Sequence, residues 1–314
     1  MFYAEAPADN SPPLGRASAD EGDVLARSRM LSRLLHSSRG IAAAVRPASA
    51  RACSTLGEAG KVAVNGVNLH YLRNGSSGPP LVCLPGAMGT AETDFAPQLR
   101  SLSETMQVVS FDPRGYGQSR PPRRDFPVDF YQQDADDAAA LMAALGHDEY
   151  NVVGWSDGAI AAVLLAAKQT KAVGKLVVFG GNAFFTEEDV EAYEATRDIE
   201  KTWSKRMKET HLPVYGDDLQ PMWGAAIDAW TEIVKRGGEI CVEEARGLGC
   251  PTLVLHGAKD PICYQSHAEW FRDNIPSAQL RVLPEGKHNL HLKFADEVNG
   301  MIRAFVEGRE VPQP

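Results

Sequence analysis

Five cysteines in 314 residues, Cys53, Cys83, Cys241, Cys250 and Cys263, form no Cys-x-x-Cys pair and follow no regular spacing. They support neither a disulfide framework nor a zinc motif, and no metal ligand set is expected. Reduced thiols in a reducing compartment are the expectation. No apolar run approaches the roughly eighteen residues that a membrane span needs. Positive charge is outnumbered, with 32 Lys and Arg against 41 Asp and Glu and a formal net charge of −9. That balance argues against non-specific binding to nucleic acid or to an anionic membrane surface. It mildly favours cationic ligands, although an acidic surface commonly serves solubility alone. No internal repeat is visible. What remains is an ordinary globular composition, 44% hydrophobic and 23% charged. The length suffices for one large α/β domain or two smaller ones.

Residues 1–59 read as a leader without a fold. The first 29 are rich in Ala, Ser, Pro and acidic residues and show no apolar periodicity, the composition of a disordered segment. The character changes at Met30. From there to Ser54 the chain carries Arg33, Arg39, Arg46 and Arg51, several serines and no acidic residue, with Leu31, Leu34 and Leu35 spaced for one helix face. An Arg- and Ser-rich, acid-free amphipathic segment has the form of a mitochondrial transit peptide. Its position is unusual, and translation from Met30, or processing past the acidic leader, would expose it. The expected location is therefore mitochondrial. A basic tail without a targeting role, on a cytoplasmic protein, is the other reading.

From residue 60 the pattern alternates strands and helices. Lys61–Val64 and Val67–Leu72 flank Asn65-Gly66, the pair that a type I′ hairpin turn favours. A buried strand ending in a glycine loop is expected at 79–86, a short one from 150 runs into Gly154, and others are expected at 107–112, 175–180, 252–256 and 279–283. Helices are expected at about 130–145 and 159–168. Such alternation implies a mostly parallel, doubly wound α/β sheet, with a core formed by residues 60–181 and 250–308. Residues 182–249 are too long for a simple crossover and place Trp203, Met207, Met222, Trp223, Ile227, Trp230 and Ile233 among charged residues. They read as a helical cap over the carboxyl ends of the strands, where ligands of such sheets bind. A helical decoration packed elsewhere is the alternative.

The chemistry centres on Gly154-Trp155-Ser156-Asp157-Gly158, a Gly-x-Ser-x-Gly nucleophile elbow between a strand and a helix. A serine hydroxyl needs a base to take its proton and a third group to orient that base. In the α/β-hydrolase order of Ser, acid, His, the acid is Asp260, in the loop after a buried strand. The base is His288, in the loop after the last strand. His291, one helical turn further on, is its competitor, and helix capping is the competing role for Asp260. The oxyanion needs two backbone N–H donors. The amide of Asp157 is one, and Ala87 in Leu84-Pro85-Gly86-Ala87-Met88-Gly89 is assigned as the other, with Met88 the neighbour if the register shifts by one. Two roles stand open for the Asp157 side chain. An acid in a helix's first turn is favourable by up to about 1 kcal/mol. A carboxylate beside the nucleophile can also serve as counter-ion for a substrate ammonium. Asp94 reads as a helix-start residue, or else as a second carboxylate near the oxyanion loop.

Together, Leu-Pro-Gly-Ala-Met-Gly at 84–89, Asp-Pro-Arg-Gly-Tyr-Gly at 112–117, Gly-Trp-Ser-Asp-Gly at 154–158, His-Gly-Ala-Lys-Asp-Pro at 256–261 and Glu-Gly-Lys-His-Asn-Leu-His-Leu at 285–292 resemble the valacyclovir hydrolase (biphenyl hydrolase-like) family of serine α/β-hydrolases. Glu-Thr-Asp-Phe at 92–95 and Ser-Arg-Pro-Pro at 119–122 extend the likeness, which runs from about Lys61 to Phe305. The resemblance implies hydrolysis of α-amino-acid esters of the prodrug type, with the free amine recognised by Asp157. It also implies a helical cap, no cofactor, a monomer and a mitochondrial association. Ala159 departs from the family, which commonly carries a second glycine there, and the cap matches least, so acyl and leaving-group preferences do not carry over. A carbon–carbon bond hydrolase of ring-cleavage products shares the fold and triad, but its anionic substrate favours a basic pocket. Dehalogenase or epoxide hydrolase chemistry needs an aspartate where Ser156 stands. A catalytically silent binding protein is the remaining alternative.

Overall fold

The computed structural model describes residues 56–314. The transit-peptide-like segment and the acidic leader lie outside the described residues. The first strand, β1 (Glu58–Val64), turns through Asn65 and Gly66 into β2 (Val67–Asn74). Both turn residues have positive φ, 46° and 79°, as a type I′ turn requires. Next come β3 (Pro80–Leu84), α1 (Ala91–Ser101), β4 (Gln107–Phe111), α2 (Phe130–Ala144), β5 (Tyr150–Trp155), α3 (Asp157–Lys168) and β6 (Val173–Phe179). Five helices then intervene: α4 (Glu187–Glu194), α5 (Ile199–Thr202), α6 (Lys205–Tyr215), α7 (Leu219–Lys235) and α8 (Val242–Arg246). The chain closes with β7 (Thr252–Gly257), α9 (Gln265–Asn274), β8 (Ala278–Leu283), α10 (Leu290–Lys293) and α11 (Ala295–Val306).

The eight strands form one sheet in the order β1-β2-β4-β3-β5-β6-β7-β8. Strand β2 runs antiparallel to both its neighbours, and every other pair is parallel. Parallel strands covered on both faces read as continuous apolar runs. The period of two still sorts their side chains. Leu81 and Cys83 join Phe95, Leu99, Met301 and Ile302 from α1 and α11, whereas Val82 and Leu84 join Tyr131, Ala138, Leu141 and Ile160 from α2 and α3. At β3 the chain order reverses, with β4 on one side and β5 on the other. The crevice beyond the carboxyl ends of β3 and β5 is therefore the switch point at which such sheets bind ligands. The loop after β3 and Ser156 both lie there.

Of the helices between β6 and β7, α7 shows the clearest design. Leu219, Met222, Trp223, Ala226, Ile227, Trp230 and Ile233 recur at helical spacing and are all buried. Trp223 and Trp230 pack edge-on at 5.5 Å, and Tyr193 of α4 lies against Trp230 at 4.4 Å. Among the described residues no helix is long and apolar enough to cross a membrane.

Candidate active site

Ser156 sits between β5 and α3 with φ 55° and ψ −125°, a conformation that L residues rarely adopt. The two flanking glycines make the turn sterically feasible. A Cβ at Gly154 would fall 2.3 Å from the carbonyl oxygen of Gly158, and one at Gly158 would fall 2.0 Å from that of Leu84. The amide of Ser156 donates to the carbonyl of Phe179 in the neighbouring strand, at 3.0 Å, which pins the turn to the sheet.

His288 and Asp260 come from loops after β8 and β7 and complete a hydrogen-bonded line with the serine. His288 Nε2 lies 3.1 Å from Ser156 Oγ, and His288 Nδ1 lies 2.8 Å from Asp260 Oδ2. Asp260 Oδ1 accepts the amides of Ile262 and Cys263 at 2.9 and 3.0 Å. Burial pushes the Asp260 carboxyl up. The His288 ring, its hydrogen bond and the two amides outweigh burial and hold the group below the usual carboxylate range. Helix α9 starts at Gln265 with no side-chain cap, so Asp260 is not its cap. Trp155 Nε1 donates to the His288 carbonyl at 2.9 Å, which ties the histidine loop to the elbow strand.

His291 does not reach the serine. It is fully buried against Phe95, Trp155 and Phe179, and burial pushes its pKa down to about 3, although the backbone of Asp94 acts the other way. It acts as a neutral aromatic filler under the site.

The loop after β3 approaches the elbow closely enough that a Cβ on Gly86 would stand 3.0 Å from Ser156 Cβ. Among the described residues the amides of Ala87 and Asp157 donate to no protein acceptor, as a site for a developing oxyanion requires. Met88, with φ 58°, makes the bend, and Tyr215 at the end of α6 donates to its carbonyl at 3.0 Å. Asp94 differs from the helix-start reading. Thr90 caps α1 and forms a capping box with Thr93, while the Asp94 carboxylate accepts the amide of Gly86 at 3.0 Å and the Thr93 hydroxyl at 2.8 Å. The capping role belongs to Thr90 because its side chain reaches the third helical amide, whereas Asp94 faces the oxyanion loop. Burial pushes Asp94 up to about 7 despite those two bonds.

Asp157 opens α3. One carboxylate oxygen, Oδ1, accepts the Tyr131 hydroxyl at 2.9 Å, and that hydroxyl accepts Trp230 Nε1 at 2.9 Å. The residue as a whole is half-buried, yet Oδ2 is sealed from solvent and has no hydrogen-bond partner. Burial pushes this carboxyl up to about 7, while the Tyr131 bond and the positive charge of Arg124 pull less strongly in the other direction. Arg124 is itself committed, in a two-bond pair with Asp134 at 2.7 Å each. Tyr131, Trp230 and Tyr215 had no signal of their own in the sequence. Trp230 lies within an apolar stripe that reads as core, and Tyr131 follows Phe130 at a helix start.

The fold and this arrangement define an α/β-hydrolase, and the family model for the alpha/beta hydrolase fold matches residues 79–207. Human "Serine hydrolase BPHL" is 42% identical over 268 residues, covering 83% of this chain and 91% of its own. The mouse protein of the same name is 44% identical over 252 residues, 79% and 86% of the two chains. The chain belongs to this family of serine hydrolases, the biphenyl hydrolase-like family that its motifs resemble. A meta-cleavage product hydrolase from Pseudomonas fluorescens IP01 superposes with a TM-score of 0.64 at 20% identity, over 79% of this chain and 96% of its own. At that identity the likeness concerns the fold alone.

Proposed function

We propose that this serine hydrolase cleaves esters of α-amino acids that carry a free amine. In this reading His288 Nε2 takes the proton of Ser156 Oγ as the oxygen attacks the ester carbonyl. Asp260 keeps the imidazole in the tautomer with its free nitrogen toward the serine. The amides of Ala87 and Asp157 receive the oxyanion. His288 then returns the proton to the departing alcohol, and a water activated by the same imidazole releases the amino acid from Ser156.

The observation that carries the substrate claim is the Asp157 carboxylate. A buried, half-satisfied anion one residue from the nucleophile is costly to keep. A neutral ester gains nothing from it. An α-ammonium group, one bond from the carbon that bears the scissile carbonyl, supplies the missing partner. The same carboxylate opposes the anionic ring-cleavage products of a carbon–carbon bond hydrolase. The test compares a valine ester with its N-acetylated form. Asp157→Ala should lower kcat/KM for the free-amine ester by about 100-fold, the scale of a lost charge-assisted contact, and change the blocked ester by only a few-fold. Equal losses on both would remove the amine from the reading. Failure of a fluorophosphonate to label Ser156 would instead favour a silent binding protein.

A further inference from the structure

The partners of Asp157 form a chain whose direction is forced. An indole N–H can only donate, so Tyr131 Oη accepts from Trp230 and its single proton goes to Asp157 Oδ1. Oδ1 is thereby an acceptor already in use, and Oδ2 is the oxygen left for a cation or a proton. Tyr131 and Trp230 are each 1% exposed, so no water competes for these bonds. Tyr131 belongs to the core helix α2, whereas Trp230 belongs to α7, between β6 and β7, where it packs against Tyr193 and Trp223. The two bonds thus connect a helix between β6 and β7 to the residue beside the nucleophile.

We infer that Tyr131 and Trp230 are positioning residues that set specificity for the substrate amine, holding the Asp157 carboxylate so that Oδ2 alone is presented and making amine recognition depend on how α7 places the Trp230 indole against the Tyr131 hydroxyl. The inference rests on the reading that Asp157 anchors the amine. A carboxylate with one free oxygen can rotate about its terminal torsion, which is broad and unhindered. A hydroxyl on Oδ1, itself held by an indole, removes that freedom. The charged and titratable groups around Asp157 are Arg124, Asp134, His288, Tyr116 and Tyr193. Arg124 is taken up by Asp134, which leaves Tyr131 as the neutral donor that aligns the anion without neutralising it.

The experiment measures the ratio of kcat/KM for a valine ester with a free amine to that for its N-acetylated form. It uses the full chain with no substitution and with Tyr131→Phe, Trp230→Phe and Asp157→Asn, with rates referred to fluorophosphonate-labelled Ser156. Tyr131→Phe should lower the ratio about tenfold, the worth of one hydrogen bond to a charged group, and chiefly through KM. It should also move the pH midpoint of the ratio upward, because the lost donor favours the ionised carboxylate. Trp230→Phe should lower the ratio about threefold. Neither should lower it further in an Asp157→Asn background, since residues that act through one group are not additive. A ratio unchanged by Tyr131→Phe or by Trp230→Phe, with Asp157→Asn still abolishing discrimination, overturns the link that substitution breaks. A ratio unchanged by Asp157→Asn overturns the amine reading itself. Should Tyr131→Phe fail to take the label, Trp230→Phe carries the same test.

Discussion

Two aspartates flank the Ser156–His288 pair, one in the loop after β7 and one at the start of α3, and burial acts on both in the same direction. Asp260 has three hydrogen-bond partners: His288 Nδ1 at Oδ2, and the amides of Ile262 and Cys263 at Oδ1. Asp157 has one hydroxyl at Oδ1 and nothing at Oδ2. The first is held below the ordinary carboxylate range, and the second is pushed up to about 7. Burial alone does not separate a structural anion from a recognition anion. In this pair the donors differ, three hydrogen bonds over both oxygens of Asp260 against one on Asp157. Asp260 is bonded at both oxygens and Asp157 at one, and the proposed amine contact rests on that difference.

The largest break in this comparison should come from Asp260→Asn. Losing the anion that orients the imidazole should lower kcat by on the order of 10⁴-fold, as in related triads. The loss should be equal for free-amine and N-blocked esters, measured under saturating substrate. A selective loss on the free-amine ester would reverse the roles given to the two aspartates.

A second test is pH. Asp157 must be ionised to pair with an ammonium group, so the preference for the free-amine ester should fall as pH drops below about 7. A simple α-amine stays protonated below roughly 7.7, so the slope on that side belongs to the carboxyl. Dividing by the rate on the blocked ester cancels every step that the two substrates share. Two kcat/KM profiles from pH 5.5 to 8 check it, and a ratio flat with pH would contradict the assignment.

The smallest effect concerns stability, where the signs of the two aspartates oppose. A carboxyl whose folded pKa is raised favours the fold below its unfolded value of about 4, and that contribution is lost as pH climbs through about 7. One whose folded pKa is lowered stabilises above about 4 and is lost as pH falls through the folded value. At pH 8, Asp157→Asn should therefore raise the melting temperature by about 2–4 °C, the change that ~1 kcal/mol produces in a domain of this size. Asp260→Asn should lower it. Thermal melts of the two variants at pH 5 and pH 8 read both signs, and a destabilised Asp157→Asn at pH 8 would mean that the carboxylate has a partner in the free enzyme.

Ser156, Asp260 and His288 were legible in the chain because each follows a strand, although the strand before His288, β8, is only half-buried where a buried one is expected. His291 shows the limit of that reading. It follows His288 by three residues, in α10, and the packing of Phe95, Trp155 and Phe179 around it removes it from the site. Asp94 shows another limit. Its place in the first turn of α1 reads as helix initiation, whereas Thr90 does the capping and Asp94 grips Gly86.

By itself the sequence determined the strand order of the chemistry: an apolar run, a glycine-flanked serine, and an acid and a histidine on two later loops. These are local patterns, carried by residues within one turn or strand end of each other. It also placed an aspartate after the serine. Only the tertiary structure decided that this aspartate has one oxygen filled and one open. The filling donor, Tyr131, stands 26 positions away, and the indole that holds it, Trp230, stands 99 positions from Tyr131. Contacts across such separations arise from the tertiary packing of distant helices, and no spacing along the chain encodes them.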